Sequence, residues 1–121
     1  MLSSFKELTV WQKSFNLSIL VFRLTKKFPN SELYGLVSQM RRCAVSIPSN
    51  IAEGYARGHR QEYVQFLRTA LASGAELETQ LLLAKELDFL AGEDFRKSHD
   101  LLVEVQKMLN RLISSLSASK P

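Results

Sequence analysis

The sequence is poor in the residues that build turns and crosslinks. It holds 3 prolines, 5 glycines and 1 cysteine among 121 residues. Because prolines and glycines are few and lie far apart, the chain can form few tight turns, which favours a small number of long helices over many strands. The single cysteine, Cys43, excludes an internal disulfide and is typical of the reducing cytoplasm, so we expect a cytoplasmic protein.

Long hydrophobic segments are also missing. The longest apolar runs are short, as at residues 81–84, so the sequence predicts no membrane-spanning helix and no membrane partner. The first residues lack the charged start, long apolar run and small-residue cleavage site of a signal peptide.

Positive charge is concentrated at the start of the chain. The formal net charge is +4 and the pI is about 9.4. Residues 1–28 hold five Lys or Arg against one Glu, whereas residues 58–90 hold three against five acidic residues. Such an imbalance can attract a polyanion. The ordinary alternative is a solvated helix face.

Hydrophobic periodicity predicts an all-α fold. Apolar residues recur at the spacing of about 3.6 residues that marks one face of a helix. The four predicted helices cover about residues 7–27, 31–57, 60–88 and 93–116. Short connections predict an antiparallel, up-down-up-down four-helix bundle, with residues 1–121 as one domain. Ser31 is a suitable N-cap for the second helix, and the tail, residues 117–121, is expected to fray.

The second predicted helix has a proline inside it. Pro48 cannot donate a backbone hydrogen bond, and its ring crowds the carbonyl of Ala44, four residues earlier. Because the apolar phase continues past this proline, we expect a kink at Pro48 and no break. We also expect the Ser46 hydroxyl to donate to the carbonyl of Arg42, a bond that suits a bent helix.

Three helices carry a second apolar stripe. A helix on the surface of a single bundle needs only one such stripe. The second stripes consist of Trp11, Phe15, Ile19 and Phe22, of Val64, Leu71, Ala75 and Leu82, and of Leu101, Val105, Met108 and Leu112. Exposed apolar surface of this extent predicts self-association. The alternative is a wide core with some scattered exposed leucines.

Residues capable of catalysis or metal binding are few. His59 and His99 lie in different helices, and neither has a neighbour at a metal-ligand spacing. The helical phase of Cys43 places it at the margin of the core, as a buried and unreactive thiol. No glycine-rich phosphate loop occurs. We therefore predict no enzymatic activity, no metal, no cofactor and no small-molecule substrate.

The segment around Pro48 also carries a polar stripe. The candidate interface residues in this motif are Gln39, Ser46, Pro48, Asn50 and Glu53. One interpretation is a solvated face with internal pairs such as Glu53 with Arg57. The other is a polar interface, either between subunits or with nucleic-acid phosphate. The candidate nucleic-acid contacts are Lys13, Arg23, Lys26, Lys27, Arg41, Arg42, Arg57, Arg60 and Arg68.

Several stretches of the sequence are recognisable. They are V-W-Q-K (10–13), F-P (28–29), E-L-Y-G-L-x-S-Q-M-R-R (32–42), A-V-S-I-P-S-N-I-A-E-G (44–54), E-Y-x-x-F-L (62–67) and S-x-x-E-L-E-T-Q-L (73–81). Over about residues 5–90 this pattern resembles the bacterial four-helix-bundle family of intervening-sequence proteins, which are encoded within insertions in 23S ribosomal RNA genes. The piece SIPSNIAEG is the most diagnostic.

The resemblance implies a homo-oligomer, a ring of five, without an established enzymatic activity. The family is also similar to the accessory variability proteins of diversity-generating retroelements, basic pentameric bundles that associate with a reverse transcriptase and nucleic acid. This relation suggests that the protein binds RNA or another nucleic acid through its basic surface. The alternative is an oligomeric scaffold that docks a protein partner, such as a reverse-transcriptase-type protein, without contacting nucleic acid.

Overall fold

The computed structural model describes residues 4–118, and four long helices account for most of them. These are α1 (Thr9–Thr25), α2 (Ser38–Arg57), α3 (Arg60–Glu86) and α4 (Gly92–Ala118). No strand occurs within the described range, and the prediction of an all-α fold with four helices is confirmed.

The end of α4 differs from the predicted frayed tail. Ser117 and Ala118 belong to α4, because the hydrogen-bonded ladder of the helix continues past its last core residue. Residues 119–121, the rest of the predicted tail, lie outside the described range.

The start of α2 differs most from the sequence prediction. Asn30–Glu32 forms a 3-10 turn and Leu33–Val37 a π-helical turn, so the regular helix begins at Ser38 and not at residue 31. Gly35 has φ −110° and ψ −106°, outside the helical region, and glycine tolerates such a conformation. Ser31 lies within the 3-10 turn and therefore does not cap α2. The other predicted helix ends agree with the structure to within two residues.

A single apolar core lies between the helices. Each helix contacts the next one along the chain, and α1 also contacts α4, which closes the bundle. Leu17, Ile47, Leu77 and Leu109, one from each helix, are fully buried. Burying a side chain of this size stabilises the fold by about 1.5–3 kcal/mol.

The second apolar stripes divide between the core and the surface. On α4 the stripe lies inside the bundle, since Val105 is buried and Leu101 packs against the core. The predicted surplus is therefore wrong for α4, because the core is wide enough to take both stripes. On α1 and α3 part of the surplus is real. Phe15 and Phe22 are 45% and 37% exposed, and Leu82 is 46% exposed.

The helix α2 continues through Pro48 because a neighbouring helix replaces a missing hydrogen bond. Pro48 has no N–H, so the carbonyl of Ala44 lacks its partner within the helix. The hydroxyl of Ser18, on α1, donates to that carbonyl at 2.6 Å in a buried contact. The bend at Pro48 and the up-down orientation of the helices stay predictions.

Two glycines shape the approach of α2 to α3. A Cβ at Gly54 would lie 2.7 Å from the Cβ of Phe66 and 3.3 Å from the carbonyl oxygen of Tyr63, so only glycine allows this close contact. Gly58 ends α2 with φ 77°, in the left-handed region that glycine adopts without strain. The chain then turns directly into α3.

Candidate nucleic-acid interface

The side chain of Arg41 contacts α1 from α2. Its Nε donates to the hydroxyl of Thr25 at 3.0 Å, and its Nη2 donates to the carbonyl of Phe22 at 3.4 Å. The guanidinium also lies 4.9 Å from the centre of the Phe22 ring. A cation at this position complements the C-terminal end of α1. The side chain of Arg41 therefore holds two helices together.

Arg57 is neutralised by neighbouring carboxylates. Its guanidinium lies 2.8 Å from an oxygen of Glu53 and 3.4 Å from one of Glu62, and 5.0 Å from the centre of the Phe66 ring. The hydrogen bond to Glu53 raises the pKa of Arg57 above its ordinary value. The pair of Glu53 with Arg57 that the spacing predicts is therefore present, and it occupies the Arg57 donors.

Two lysines among the predicted contacts also have acidic partners. Lys13 pairs with Glu104 at 2.9 Å, and Lys27 lies 3.6 Å from Asp94. Both pairs are partly exposed, and such surface pairs contribute about 0–1 kcal/mol each. Their main effect here is to reduce the local positive charge.

Four of the predicted contacts keep their charge available. Within residues 4–118, Arg23, Lys26, Arg42 and Arg68 are exposed and form no ion pair. They lie on different surfaces. Arg23 and Lys26 border an apolar depression on α1, Arg42 lines a groove between α2 and α3, and Arg68 lies with Arg60 in a depression between α3 and the end of α4. The nine candidates therefore do not form one patch.

A polar groove of about 520 Å³ runs between α2 and α3. Its lining residues are Tyr34, Ser38, Gln39, Arg42, Cys43, Ser46, Ser73 and Glu76. Among them, sequence reasoning singled out Gln39, Arg42 and Ser46 as functional but missed the others. The available signal was the pair of recognisable stretches at 32–42 and 73–81, which the fold places on opposite walls of the groove.

Hydrogen bonds between the two helices fix one part of the groove. The hydroxyls of Ser46 and Ser73 lie 2.8 Å apart, and Nδ2 of Asn50 donates to the Ser46 hydroxyl at 2.9 Å and to the Ser46 carbonyl at 2.8 Å. The predicted bond from Ser46 to the carbonyl of Arg42 is wrong, because Ser46 turns toward the hydroxyl on the neighbouring helix. This polar cluster joins α2 to α3.

Cys43 lies at the buried side of the groove, as its helical phase predicts. It is 6% exposed, and Nε2 of Gln80 donates to its sulfur at 3.6 Å. Burial raises the pKa of the Cys43 thiol, and the nearby Glu76 carboxylate acts in the same direction. A buried thiol with a raised pKa is a poor nucleophile. The groove is thus suited to binding and not to thiol chemistry.

The open side of the groove carries an aromatic ring and two opposite charges. Tyr34 is 92% exposed and stands in the π-helical turn before α2. Arg42 and Glu76 are both exposed, and they form no ion pair with each other. Ser38, Arg42 and Ser46 follow one another at intervals of four residues in α2, so they form one ridge along the groove, and Tyr34 lies in the π-helical turn before this ridge.

The histidines occupy structural or solvated positions. His99 lies 2.7 Å from a carboxylate oxygen of Glu78 and stacks on Phe95 with ring centres 5.0 Å apart. His59 is exposed at the start of α3. Over residues 4–118 no group of three or more His, Cys, Asp or Glu is placed to hold a metal ion. None of the helices in the same range is long and apolar enough to cross a membrane.

Comparisons with known proteins identify a family and a fold. The family model described as 23S rRNA-intervening sequence protein matches residues 6–111. A search of curated proteins found no match. A crystal structure of a protein of unknown function from the S23 ribosomal protein family of Bacteroides thetaiotaomicron is similar, with a TM-score of 0.81 and 24% sequence identity. The alignment covers 87% of this chain and 95% of that one, and at this identity it speaks for the fold alone.

Proposed function

The chain belongs to the family of 23S rRNA-intervening sequence proteins, and from that premise we propose that it is a non-enzymatic, homo-oligomeric helical bundle that binds RNA. The observation that carries the RNA-binding proposal is the set of exposed cations, Arg23, Lys26, Arg42 and Arg68, that have no acidic partner within residues 4–118. Such cations are available to phosphate oxygens, which supply most of the affinity in non-specific nucleic-acid binding.

Exposed apolar side chains support the proposed self-association. Phe15 and Phe22 are partly exposed on α1, and Leu82, Leu83 and Leu87 are 46%, 49% and 55% exposed near the end of α3. Burying these side chains against a second copy would remove apolar surface from water, which stabilises an oligomer. A ring of five is the state that the sequence resemblance implies. Repetition around a ring would place the unpaired cations of each subunit on one particle and so strengthen their attraction for RNA.

The proposal is tested by measuring the mass of the particle and the salt dependence of RNA binding. Light scattering should give a mass several times that of one chain. Binding of a fluorescent single-stranded RNA should weaken as salt increases, with a slope of about −0.7 in the logarithmic plot for each phosphate contact. A monomer at micromolar concentration would contradict the oligomer. The RNA proposal fails if no binding occurs at low salt or if the affinity is independent of salt.

Matched variants separate available cations from paired ones. Glutamine at Lys26 and Arg68 together should make the salt slope shallower, because these side chains have no ion-pair partner within residues 4–118. Glutamine at Lys13 and Lys27 should change the slope much less, since Glu104 and Asp94 already neutralise them. Equal effects of the two variants would show that the folded chain makes no such distinction between these cations.

A second candidate function is a scaffold that docks a protein partner, and the exposed leucines near the end of α3 favour it. In that case the exposed apolar residues would meet the partner, and the cations would serve solubility. A defined partner that remains bound after nuclease treatment, and is released by Leu83→Asp with Leu87→Asp, would support the scaffold. Salt-dependent RNA binding by the wild type without such a partner would support the first proposal.

A further inference from the structure

The groove between α2 and α3 combines three features that single-stranded RNA requires, and the following inference rests on the proposed RNA binding. We propose that this groove holds a short single-stranded segment, with one base stacked on Tyr34, a phosphate on Arg42, and the amino group of a base donating to Glu76. The groove volume, about 520 Å³, falls in the range of about 300–1,000 Å³ that small ligands occupy in proteins.

Tyr34 provides the stacking surface. Its side chain is 92% exposed, which leaves the aromatic ring accessible at the mouth of the groove. The ring is presented by the π-helical turn Leu33–Val37, whose Gly35 has a non-helical backbone. Turns of this kind are frequent at functional sites. Stacking on aromatic side chains is a common means of binding single strands, because every base has a flat face that can stack.

Arg42 provides the phosphate contact. It lies on α2 and lines the same groove as Tyr34, which stands in the π-helical turn before this helix. Its neighbour Arg41 is held by Thr25 and Phe22 on the α1 side, whereas Arg42 is exposed and lines the groove. A base on Tyr34 and a phosphate on Arg42 therefore belong to one strand of RNA that lies along the groove.

Glu76 makes the groove selective. A carboxylate repels phosphate but accepts hydrogen bonds, and acidic side chains recognise cytosine through its amino group. Adenine and guanine also carry amino groups, whereas uracil has none. Because Glu76 is not paired with Arg42, it keeps acceptor capacity for a base. The contact of Ser46 with Ser73 joins the two walls of the groove, so Glu76 on α3 and Arg42 on α2 lie on walls that are held together at that point.

The test measures anisotropy of fluorescent oligonucleotides of cytidine and of uridine, each twelve nucleotides long, on the full chain at low salt. Oligocytidine should bind about tenfold more tightly than oligouridine, as expected for one charge-assisted hydrogen bond. Tyr34→Ala should weaken binding of both about tenfold through lost stacking, and Tyr34→Phe should restore it. Arg42→Gln should weaken both equally and reduce the salt slope by about 0.7.

Glu76→Gln is the decisive variant. It should reduce the preference for oligocytidine without weakening oligouridine, because the amide oxygen accepts without a negative charge and the amide N–H can donate to O4 of uracil. Arg68→Gln, outside the groove, is the charge-matched control and should leave the preference intact. Tyr34, Arg42 and Glu76 are all exposed, and circular dichroism with light scattering verifies that each variant keeps its fold and mass.

The outcomes separate the two proposals. If the wild-type protein binds neither oligonucleotide at low salt, the proposed RNA binding fails and this inference fails with it. If the wild-type protein binds RNA but shows no base preference and no loss in Tyr34→Ala, RNA binding stands and the groove is overturned as its site. Loss of the preference in Arg68→Gln as well as in Glu76→Gln would also overturn the assignment.

Discussion

The two sides of α2 use their polar residues differently. On the side that faces α1, Ser18 donates to the carbonyl that Pro48 leaves without a partner, and Arg41 binds Thr25 and the carbonyl of Phe22. On the side that faces α3, Gln39 and Arg42 line an open groove beside the contact of Ser46 with Ser73. Neighbouring residues of α2 therefore stabilise the contact with α1 on one side of the helix and leave polar side chains exposed to solvent on the other.

This difference separates polar residues that stabilise the fold from polar residues that remain exposed. The hydrogen bond from Ser18 to the carbonyl of Ala44 is short and buried, so its loss would leave an unpaired group in the core. The charges toward α3 remain hydrated and cost the fold little. Stability should therefore depend on Ser18 and Arg41 more than on Arg42, and RNA binding on Arg42.

The largest effect on stability is expected for Ser18→Ala. The substitution leaves the buried carbonyl of Ala44 without a donor, which should lower the free energy of unfolding by about 1–3 kcal/mol. Urea denaturation measures the change. Pro48→Ala supplies an N–H at position 48 and so gives Ala44 a partner within the helix. In that background Ser18→Ala should cost at least about 1 kcal/mol less, and an equal cost in both backgrounds would show that Ser18 does not compensate for the proline.

A smaller contrast is expected between two adjacent arginines. Arg41→Ala should lower the free energy of unfolding by about 1–2 kcal/mol, because it removes a charge-assisted hydrogen bond to Thr25 and the contact with the Phe22 ring. Arg42→Ala, one residue further, should change it by no more than about 0.5 kcal/mol. Thermal and urea unfolding of the pair provide the comparison. Similar losses for both would remove the distinction between the two sides of α2.

The smallest effect on stability at neutral pH is expected for a substitution of Tyr63, where α3 packs against Gly54 of α2. Tyr63 packs beside Gly54, and its hydroxyl is buried without a partner in the described structure. Burial, with a smaller contribution from Tyr55, raises the pKa of Tyr63 to about 12. The folded chain therefore holds this proton more tightly than the unfolded chain, and stability should fall as the pH rises from about 10 to about 12.

Tyr63→Phe should remove that part of the alkaline loss. At neutral pH the variant should be as stable as the wild type or more stable by up to about 1 kcal/mol, since no hydrogen bond is lost. Urea unfolding at several pH values measures both effects. Tyr34→Phe, a substitution of an exposed tyrosine, is the matched control and should leave the stability at neutral pH unchanged. An alkaline profile for Tyr63→Phe identical to that of the wild type would place the titrating group elsewhere.

Much of the fold followed from local patterns. Apolar periodicity predicted the four helices, and most of their ends agree with the structure because helical period and stop signals are properties of neighbouring residues. The start of α2 did not follow. The π-helical turn around Gly35 depends on how the chain enters the bundle, and the caps suggested by composition placed the helix too early. The extent of the core was also misjudged on α4, because the width of a core is set by all four helices together.

The candidate site was predictable only in part. Arg42, Gln39 and Ser46 were recognised as members of a polar stripe, but Tyr34, Ser73 and Glu76 were not connected with them. The groove joins residues from two helices, and a single helical period carries no information about the residues on the opposite wall. The division of cations into paired and unpaired ones was hidden for the same reason, since the partners of Lys13 and Lys27 lie on α4.

The sequence by itself determined the helical class, the number of helices, the principal core face of each one and the family, because each of these depends on local spacing or local motif. Only the tertiary structure decided what each polar residue does. Ser18 lies 26 residues from the carbonyl that it satisfies, and Ser46 lies 27 residues from Ser73. A hydrogen bond requires two groups to meet at about 3 Å, and for groups on different helices the packing of the bundle sets that distance.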